Sequence, residues 1–243
     1  MIRTAPAASP LEWVQRQTWE DLLFAHWTVP ASVLRPLVPP SLELDAFEGQ
    51  TWVGIIPFRL TGLRFRWAPP LPGFTRFHEI NVRTYVTDGQ KPGVWFLSLD
   101  ATTRFPVWSA RRFYHLPYYL ARMSFEPDGS DVRLTSRRVD RRGQPAELAI
   151  TYGPRGSPAT ARPGSLEEWL VERYCLYAED ERHAIWRCDI EHPPWLIQPA
   201  AAVLEVETLA STHGLSLEKP PLHCLFAKQQ DTLVGWPQLV ARS

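Results

Sequence analysis

The sequence predicts a mainly β protein of the α+β kind, in which a curled antiparallel sheet carries a few flanking helices. Three observations predict it. Turn signals built from Gly, Asp and Pro recur at short intervals from Glu48 onward, as in a meander that curls or closes. Several segments between them alternate apolar and polar residues with the period of two that a strand imposes. Helix start signals, by contrast, are few.

The first such signal is "SPLEWVQRQ", where Ser9 offers an N-cap and Pro10 the first helical position. A short helix is expected from Pro30 in "TVPASVLRPLVP", stopped by Pro39. "TWVGIIPFRLTGLRF" reads as a long, half-buried strand after a Glu48–Gly49 turn. "FHEINVRTYVT" and "GVWFLSLDAT" read as a hairpin joined by "DGQKPG". A helix follows over "RFPVWSARRFYH", with Pro106 near its start and Pro117 just beyond its end. "YYLARMSFE" and "DVRLTSRRVD" flank Asp128 and Gly129 as a second hairpin, and Gly143 turns the chain into "AELAITYG". "SLEEWLVERY" opens with Ser165 and Glu168 at capping-box spacing. The end, "LHCLFAKQQDTLVGWPQLV", reads as a final strand pair. One domain spanning residues 1–243 is expected. The Gly, Pro and Ser-rich stretch 153–165 is read as a mobile loop within it, because strands resume on both sides.

Composition narrows the function. The chain has 243 residues, 44% hydrophobic and 21% charged, with a formal net charge of zero. No whole-chain basic field exists to hold a phosphate backbone, so nucleic acid is not an expected partner. The longest apolar runs, such as "WVGIIPF", fall far short of the roughly 20 residues of a membrane helix, so no membrane partner is expected. The N-terminus lacks an apolar core of signal-peptide length. Three scattered cysteines, Cys175, Cys188 and Cys224, suit a reduced, cytoplasmic location as inert thiols. Eleven tryptophans and the exposed strand edges leave room for self-association into a homo-oligomer.

Several chemistries lack their residues. There is no G-x-G-x-x-G after a strand, no P-loop, no C-x-x-C and no G-x-S-x-G. "HEINV" has His78 and Glu79 but no second histidine at helical spacing, so no metal and no cofactor are expected.

Two constellations remain. In "FHEINVRTYV", Ile80, Val82, Thr84 and Val86 share one strand face and Glu79, Asn81, Arg83 and Tyr85 the other. The second face is either solvated or, if the sheet closes, the lining of a cavity. A carboxylate buried there would pair with the arginine or have its pKa raised for acid/base work. In "WSARRFYHLPYY", Arg111 and His115 lie four apart on a helix, with Arg112 on an adjacent face. The alternatives there are an anion-binding arginine or ordinary ion pairs, and a capping or a ligand-binding histidine. Asp100 closes an apolar strand, as a cap or as a partner for Arg111. His26 and His192 each stand beside tryptophan and proline, as cavity-shaping or as structural residues.

"LLFAHWTVPASVLRPLVPPSLELDAFEGQTWVGIIPFRL", "FHEINVRTYV", "ARRFYHLPYY" and "ERYCLY" together resemble the uncharacterised bacterial YqjF-like family, over roughly residues 15 to 240. That family is similar to the acetoacetate decarboxylase-like superfamily. The resemblance implies a cone or open barrel with an internal pocket. The decarboxylases' signature places a proline before two lysines, one forming a Schiff base and the other lowering its pKa. Those positions here are Pro117, Tyr118 and Tyr119, and neither tyrosine carries an amine. Of the decarboxylases' two pocket glutamates, Glu79 matches one; the other falls near Gly54. The only lysines are Lys91 and Lys219, read as solvated, and Lys228, the sole strand candidate.

Three readings follow. In the first, a small-molecule pocket supports non-covalent acid/base chemistry on an oxo or carboxylate-bearing metabolite, without a Schiff base. Glu79 is then the acid/base, Arg83 and Arg111 orient the anionic group, and Tyr118 and His115 donate hydrogen bonds. Asn81, Asp100 and His26 complete the ligand-binding set. In the second, the same cavity binds without catalysis. In the third, the polar cluster is a paired structural network.

Overall fold

The structure, a computed structural model, describes residues 11–69, 75–217 and 220–241. Among these, twelve strands form one sheet. They are β1 (Gln15–Thr28), β2 (Glu43–Leu44), β3 (Trp52–Phe65), β4 (Phe77–Thr87), β5 (Pro92–Ala101), β6 (Tyr118–Asp128), β7 (Asp131–Arg138), β8 (Glu147–Pro154), β9 (Cys175–Glu179), β10 (Ile185–Glu191), β11 (Ile197–Glu207) and β12 (His223–Ala241). The helices are α1 (Ala31–Leu34), α2 (Arg104–Tyr114) and α3 (Leu166–Val171), with short 3-10 turns at Arg35–Leu37 and Ala210–His213. Among the described residues no helix is long and apolar enough to cross a membrane.

The sheet closes twice. Its order runs β10-β9-β5-β6-β7-β8-β11-β12-β1-β3-β4-β2, with further pairings of β4 to β5 and of β10 to β12. The β4–β5 pairing closes a ring of nine strands. The β10–β12 pairing closes a smaller ring of β1, β3, β4, β5, β9, β10 and β12. Strands β1, β3, β4, β5 and β12 belong to both, so their two faces look into two interiors. This is why β3 is buried on both faces from Trp52 to Phe58, where the sequence pattern suggests a half-buried strand; only its second half alternates. The larger ring is filled by Leu23, Ile55, Ile80, Val82, Leu134 and Ile150 among others. The smaller holds Phe24, Phe58, Leu99, Leu176 and Trp195.

Most pairings are antiparallel, but β5 runs parallel to β6 and to β9. A parallel neighbour requires a crossover, and α2 supplies the one between β5 and β6. Its end is set by His115, which adopts the left-handed conformation (φ 56°), with Pro117 two residues on. At α3 the Ser165 hydroxyl accepts the Glu168 amide hydrogen bond at 3.3 Å, as the capping spacing requires. The 153–165 stretch is tied to β11 by the Ala159–Ile197 pair, bonded in both directions, and by the Arg155 amide on the Pro199 carbonyl.

Two expectations need correction. No helix occupies Leu11–Gln17: Leu11 to Trp13 lie outside regular structure and β1 begins at Gln15. Ser9 and Pro10 lie outside the described residues. The cap signal competed with Gln15, Gln17 and Trp19, which share one strand face. The C-terminal segment is one strand rather than a pair. β12 pairs with β1 through Val234 and continues along β10 to Ala241, so Gly235 and Pro237 mark a change of partner and not a turn.

Candidate functional site

A cavity of about 120 Å3 lies inside the smaller ring. All seven strands of that ring contribute: Trp19 and Phe24 from β1, Phe58 from β3, Glu79 from β4, Phe96 from β5, Leu176 from β9, Ile190 from β10 and Val234 from β12. Tyr114 of α2, Tyr118 of β6 and the Arg173, His192 and Trp195 segments finish the wall.

Period two and its interruptions decide which residues face inward. On β4 the odd positions Glu79, Asn81 and Arg83 line the cavity, while Ile80 and Val82 enter the core of the larger ring. On β1 the lining changes phase, from Gln15, Gln17 and Trp19 to Leu22 and Phe24. Between them Asp21 takes a left-handed φ of 51°, and the register against β3 shifts between Glu20 and Ala25. On β5 the lining steps from Phe96 to Leu99, across the register shift opposite Val82 and Arg83. Each is the phase change that a bulge produces.

Glu79 is 4% exposed. Burial raises its pKa to about 8, partly offset by the Tyr118 hydroxyl, which donates to its Oε2 at 2.8 Å. Burial, and then the neighbouring Glu79, push the Tyr118 phenol well above its usual range, so it stays a donor. Asn81 is buried, and its Oδ1 has no hydrogen-bond partner within the protein. The Arg83 guanidinium lies 5.6 Å from the Phe24 ring centre. Its Nη2 reaches the Tyr85 hydroxyl at 3.4 Å and the Leu170 carbonyl at 3.3 Å, and its Nε is unpaired. Arg173 donates from Nε to the Trp169 carbonyl at 2.6 Å and from Nη1 to Asp45 at 2.5 Å, but its Nη2 is unpaired. The Trp195 indole N–H is likewise unpaired.

Four of the sequence-derived site residues, Glu79, Asn81, Arg83 and Tyr118, therefore meet in the cavity, and four lie elsewhere. Arg111 binds Asp140 at 2.5 Å and the Tyr118 carbonyl at 2.6 Å, so it anchors the strand that carries Tyr118 instead of facing a ligand. Asp100 is not its partner; it forms a buried pair with Arg138 at 2.7 Å. His115 is spent as the cap of α2 and lies 5.6 Å from the Trp186 ring, in a separate shallow groove. His26 is fully buried one layer behind the lining, with Nε2 2.6 Å from the Tyr85 hydroxyl, and burial lowers its pKa. Tyr119 points away from Tyr118 and packs on the Arg138 guanidinium at 4.1 Å. The cavity residues that sequence reasoning missed are Arg173, which sits between α3 and β9 outside any periodic segment, and the aromatic set of Trp19, Phe24, Phe58 and Trp195.

No described lysine lines the cavity. Lys228 is exposed on β12 and pairs with Asp21 at 2.6 Å. Lys91 is tied to Asp189 at 2.9 Å rather than freely solvated, and Lys219 lies outside the described residues. Burial raises the Cys175, Cys188 and Cys224 thiols to about 11, 12 and 11.

The profile of the DUF2071 family, described as an uncharacterised conserved protein, matches residues 16–231. The chain is 47% identical over 227 residues to the uncharacterised protein YqjF of Bacillus subtilis (strain 168), covering 93% of this chain and 91% of that one. Among solved structures it is similar to the acetoacetate decarboxylase of Legionella pneumophila, with a TM-score of 0.65 and 16% identity over 99% of this chain and 94% of that one. It is also similar to the enduracididine biosynthesis enzyme MppR complexed with pyruvate, with a TM-score of 0.63 and 13% identity over 97% and 94%. At these identities the likeness to solved structures is one of fold.

Proposed function

The chain belongs to the DUF2071 family of uncharacterised conserved proteins, and from that premise we propose that its smaller ring binds a small oxo or carboxylate-bearing metabolite, on which Glu79 acts as a non-covalent acid/base. The observation that carries this is one cavity lined both by a carboxyl pushed up to about 8 and by two guanidiniums with unpaired N–H groups. At pH 7 Glu79 is mostly protonated, and Asp45 balances Arg173. Arg83 is half-buried, has no carboxylate partner among the described residues, and its buried Nε is unpaired. A carboxylate or enolate oxygen would satisfy it, and each buried donor left unmet costs about 1–3 kcal/mol.

The acid/base role follows from Glu79's position on the pH scale, since a group that titrates near the working pH moves protons best. In its ionised fraction it takes a proton from the carbon beside the carbonyl; the enolate oxygen is stabilised by the arginines, and the same carboxyl returns a proton. Tyr118 holds Oε2 in place. A Schiff base is outside this proposal, because no described lysine reaches the cavity.

Pyruvate, the ligand in the MppR structure, is a suitable probe. Wild-type protein in D2O is expected to exchange the pyruvate methyl protons, followed by NMR, faster than buffer does. Glu79→Gln is expected to abolish that excess while binding persists. Equal exchange by the variant would overturn the catalytic role. Binding by the wild type without exchange would leave a ligand-binding module.

A further inference from the structure

We infer that the ligand carries one aromatic ring behind its acid group; this rests on the carboxylate reading above and adds the ligand's body to it. Polar atoms without partners line the cavity: Asn81 Oδ1 and Arg83 Nε from one face of β4, Arg173 Nη2, and the Trp195 N–H. These call for a charged or polar head.

The start of β1 calls for nothing polar. There the Trp19 indole N–H donates to Gln17 at 2.8 Å, Gln17 to Gln15 at 2.9 Å, Gln15 to the Tyr114 hydroxyl at 2.9 Å, and that hydroxyl to the Gly235 carbonyl at 3.3 Å. The ladder is neutral and runs in one donor direction, so each side chain's hydrogen bond is taken up by the next. Its amides close the cavity without offering an unmet charge.

The lining also carries an aromatic set. Arg83 lies over Phe24. Phe24 meets Trp195 edge-on at 5.0 Å and 89°, and Trp195 stacks near Trp19 at 6.1 Å. Trp19 tilts against Phe58 at 5.5 Å, and Phe58 pairs in register with Glu79. Tilted and edge-on rings would offer a flat guest both faces and edges, the arrangement aromatic quadrupoles favour. The volume limits the body to a single ring, since an apolar cavity of roughly 150 Å3 takes one benzene and this one measures about 120 Å3. A two-carbon or three-carbon acid has no ring to set against this aromatic lining.

The test compares matched ligands by isothermal titration calorimetry on the wild-type chain at pH 7. Benzoylformate, which is pyruvate with its methyl replaced by phenyl, is expected to bind at least tenfold more tightly than pyruvate. It is also expected to bind more tightly than the branched aliphatic acid 4-methyl-2-oxopentanoate. Pyruvate or the aliphatic acid binding as tightly as benzoylformate would overturn the aromatic body and leave the carboxylate reading standing. Acetophenone, which has the ring without the acid, is expected to bind at least tenfold more weakly. Acetophenone matching benzoylformate, or binding by none of the acids, would overturn the carboxylate reading and this inference with it. In a second measurement, Phe58→Leu, which removes a ring and no polar atom, is expected to lower benzoylformate affinity severalfold and to affect pyruvate far less; an equal loss for both would count against the inference.

Discussion

Glu79 is a carboxyl taken almost wholly out of water, and the effect of that burial on its titration has a sign. Folded, it keeps its proton up to about pH 8; unfolded, it releases it near its ordinary value of 4.5. Between those values the folded state binds more protons than the unfolded one, so stability falls as pH rises through the window. Below it there is no penalty, and above it the full one, on the order of 3–5 kcal/mol. Glutamine has no proton to lose and still accepts the Tyr118 hydrogen bond. Glu79→Gln is therefore expected to gain stability over wild type progressively from pH 5 to pH 8.5, as read from urea midpoints at each pH. A constant difference across that range would place Glu79 in a solvated, unshifted environment. Part of this was legible in the sequence. The period of two in "FHEINVRTYV" groups Glu79 with Asn81 and Arg83, and the structure places those three on one wall. What the pattern left open was whether that wall met water or a second interior, because the answer depends on β9, β10 and β12, far away in sequence.

At the scale of elements, packing between β1 and β3 explains a missing acid. The resemblance to the decarboxylases puts their second glutamate near Gly54, where there is no room for a side chain. A Cβ on Gly54 would sit 2.7 Å from Ile56 Cδ1 and 2.9 Å from His26 Nε2. His26 is held in turn by the Tyr85 hydroxyl, so it has little freedom to yield. Gly54→Ala is expected to destabilise the fold by about 1–3 kcal/mol, seen as a lower thermal midpoint. Adding His26→Ala should recover part of that loss, since the two residues compete for one space and their effects then fail to add. Strict additivity would exclude the clash as the cause. The same element shows where sequence reading stops. Ser9 and Pro10 look like a helix start, yet the chain reaching Gln15 becomes a strand, because tertiary pairing with β3 and β12 outweighs a local cap signal. The bulges on β1 and β5, which turn Phe24 and Leu99 inward, leave little mark in the sequence: Asp21 is a common residue in an uncommon conformation.

The described chain is a sheet that shares five strands between two rings, and β12 is the shared strand with three neighbours at the C-terminal end. It pairs with β1 over residues 223–234, with β10 to Ala241 and with β11 through Leu225 to Ala227. It also brings Val234 to the cavity wall. Its partner β1 lies about 200 residues earlier, a contact paid for in chain entropy before it yields any burial. The sequence shows β12 as an apolar run broken by Gly235 and Pro237, and nothing local in it tells a hairpin from one strand serving three neighbours. Because β12 belongs to both rings, it cannot be removed as a peripheral edge. A chain ending at residue 222 is expected to lose the cooperative thermal transition and the dispersed amide NMR spectrum of a packed core, because β1, β10 and β11 all lose a neighbour and both interiors open to water. Adding a synthetic peptide of residues 220–243 in trans is expected to restore dispersion, with Trp19 and Trp195 emission shifting to the blue as the smaller ring closes around them. A truncated chain that still unfolds cooperatively would show that the rings hold without their shared strand, and that the cavity is bounded by β1, β3, β4 and β5 alone.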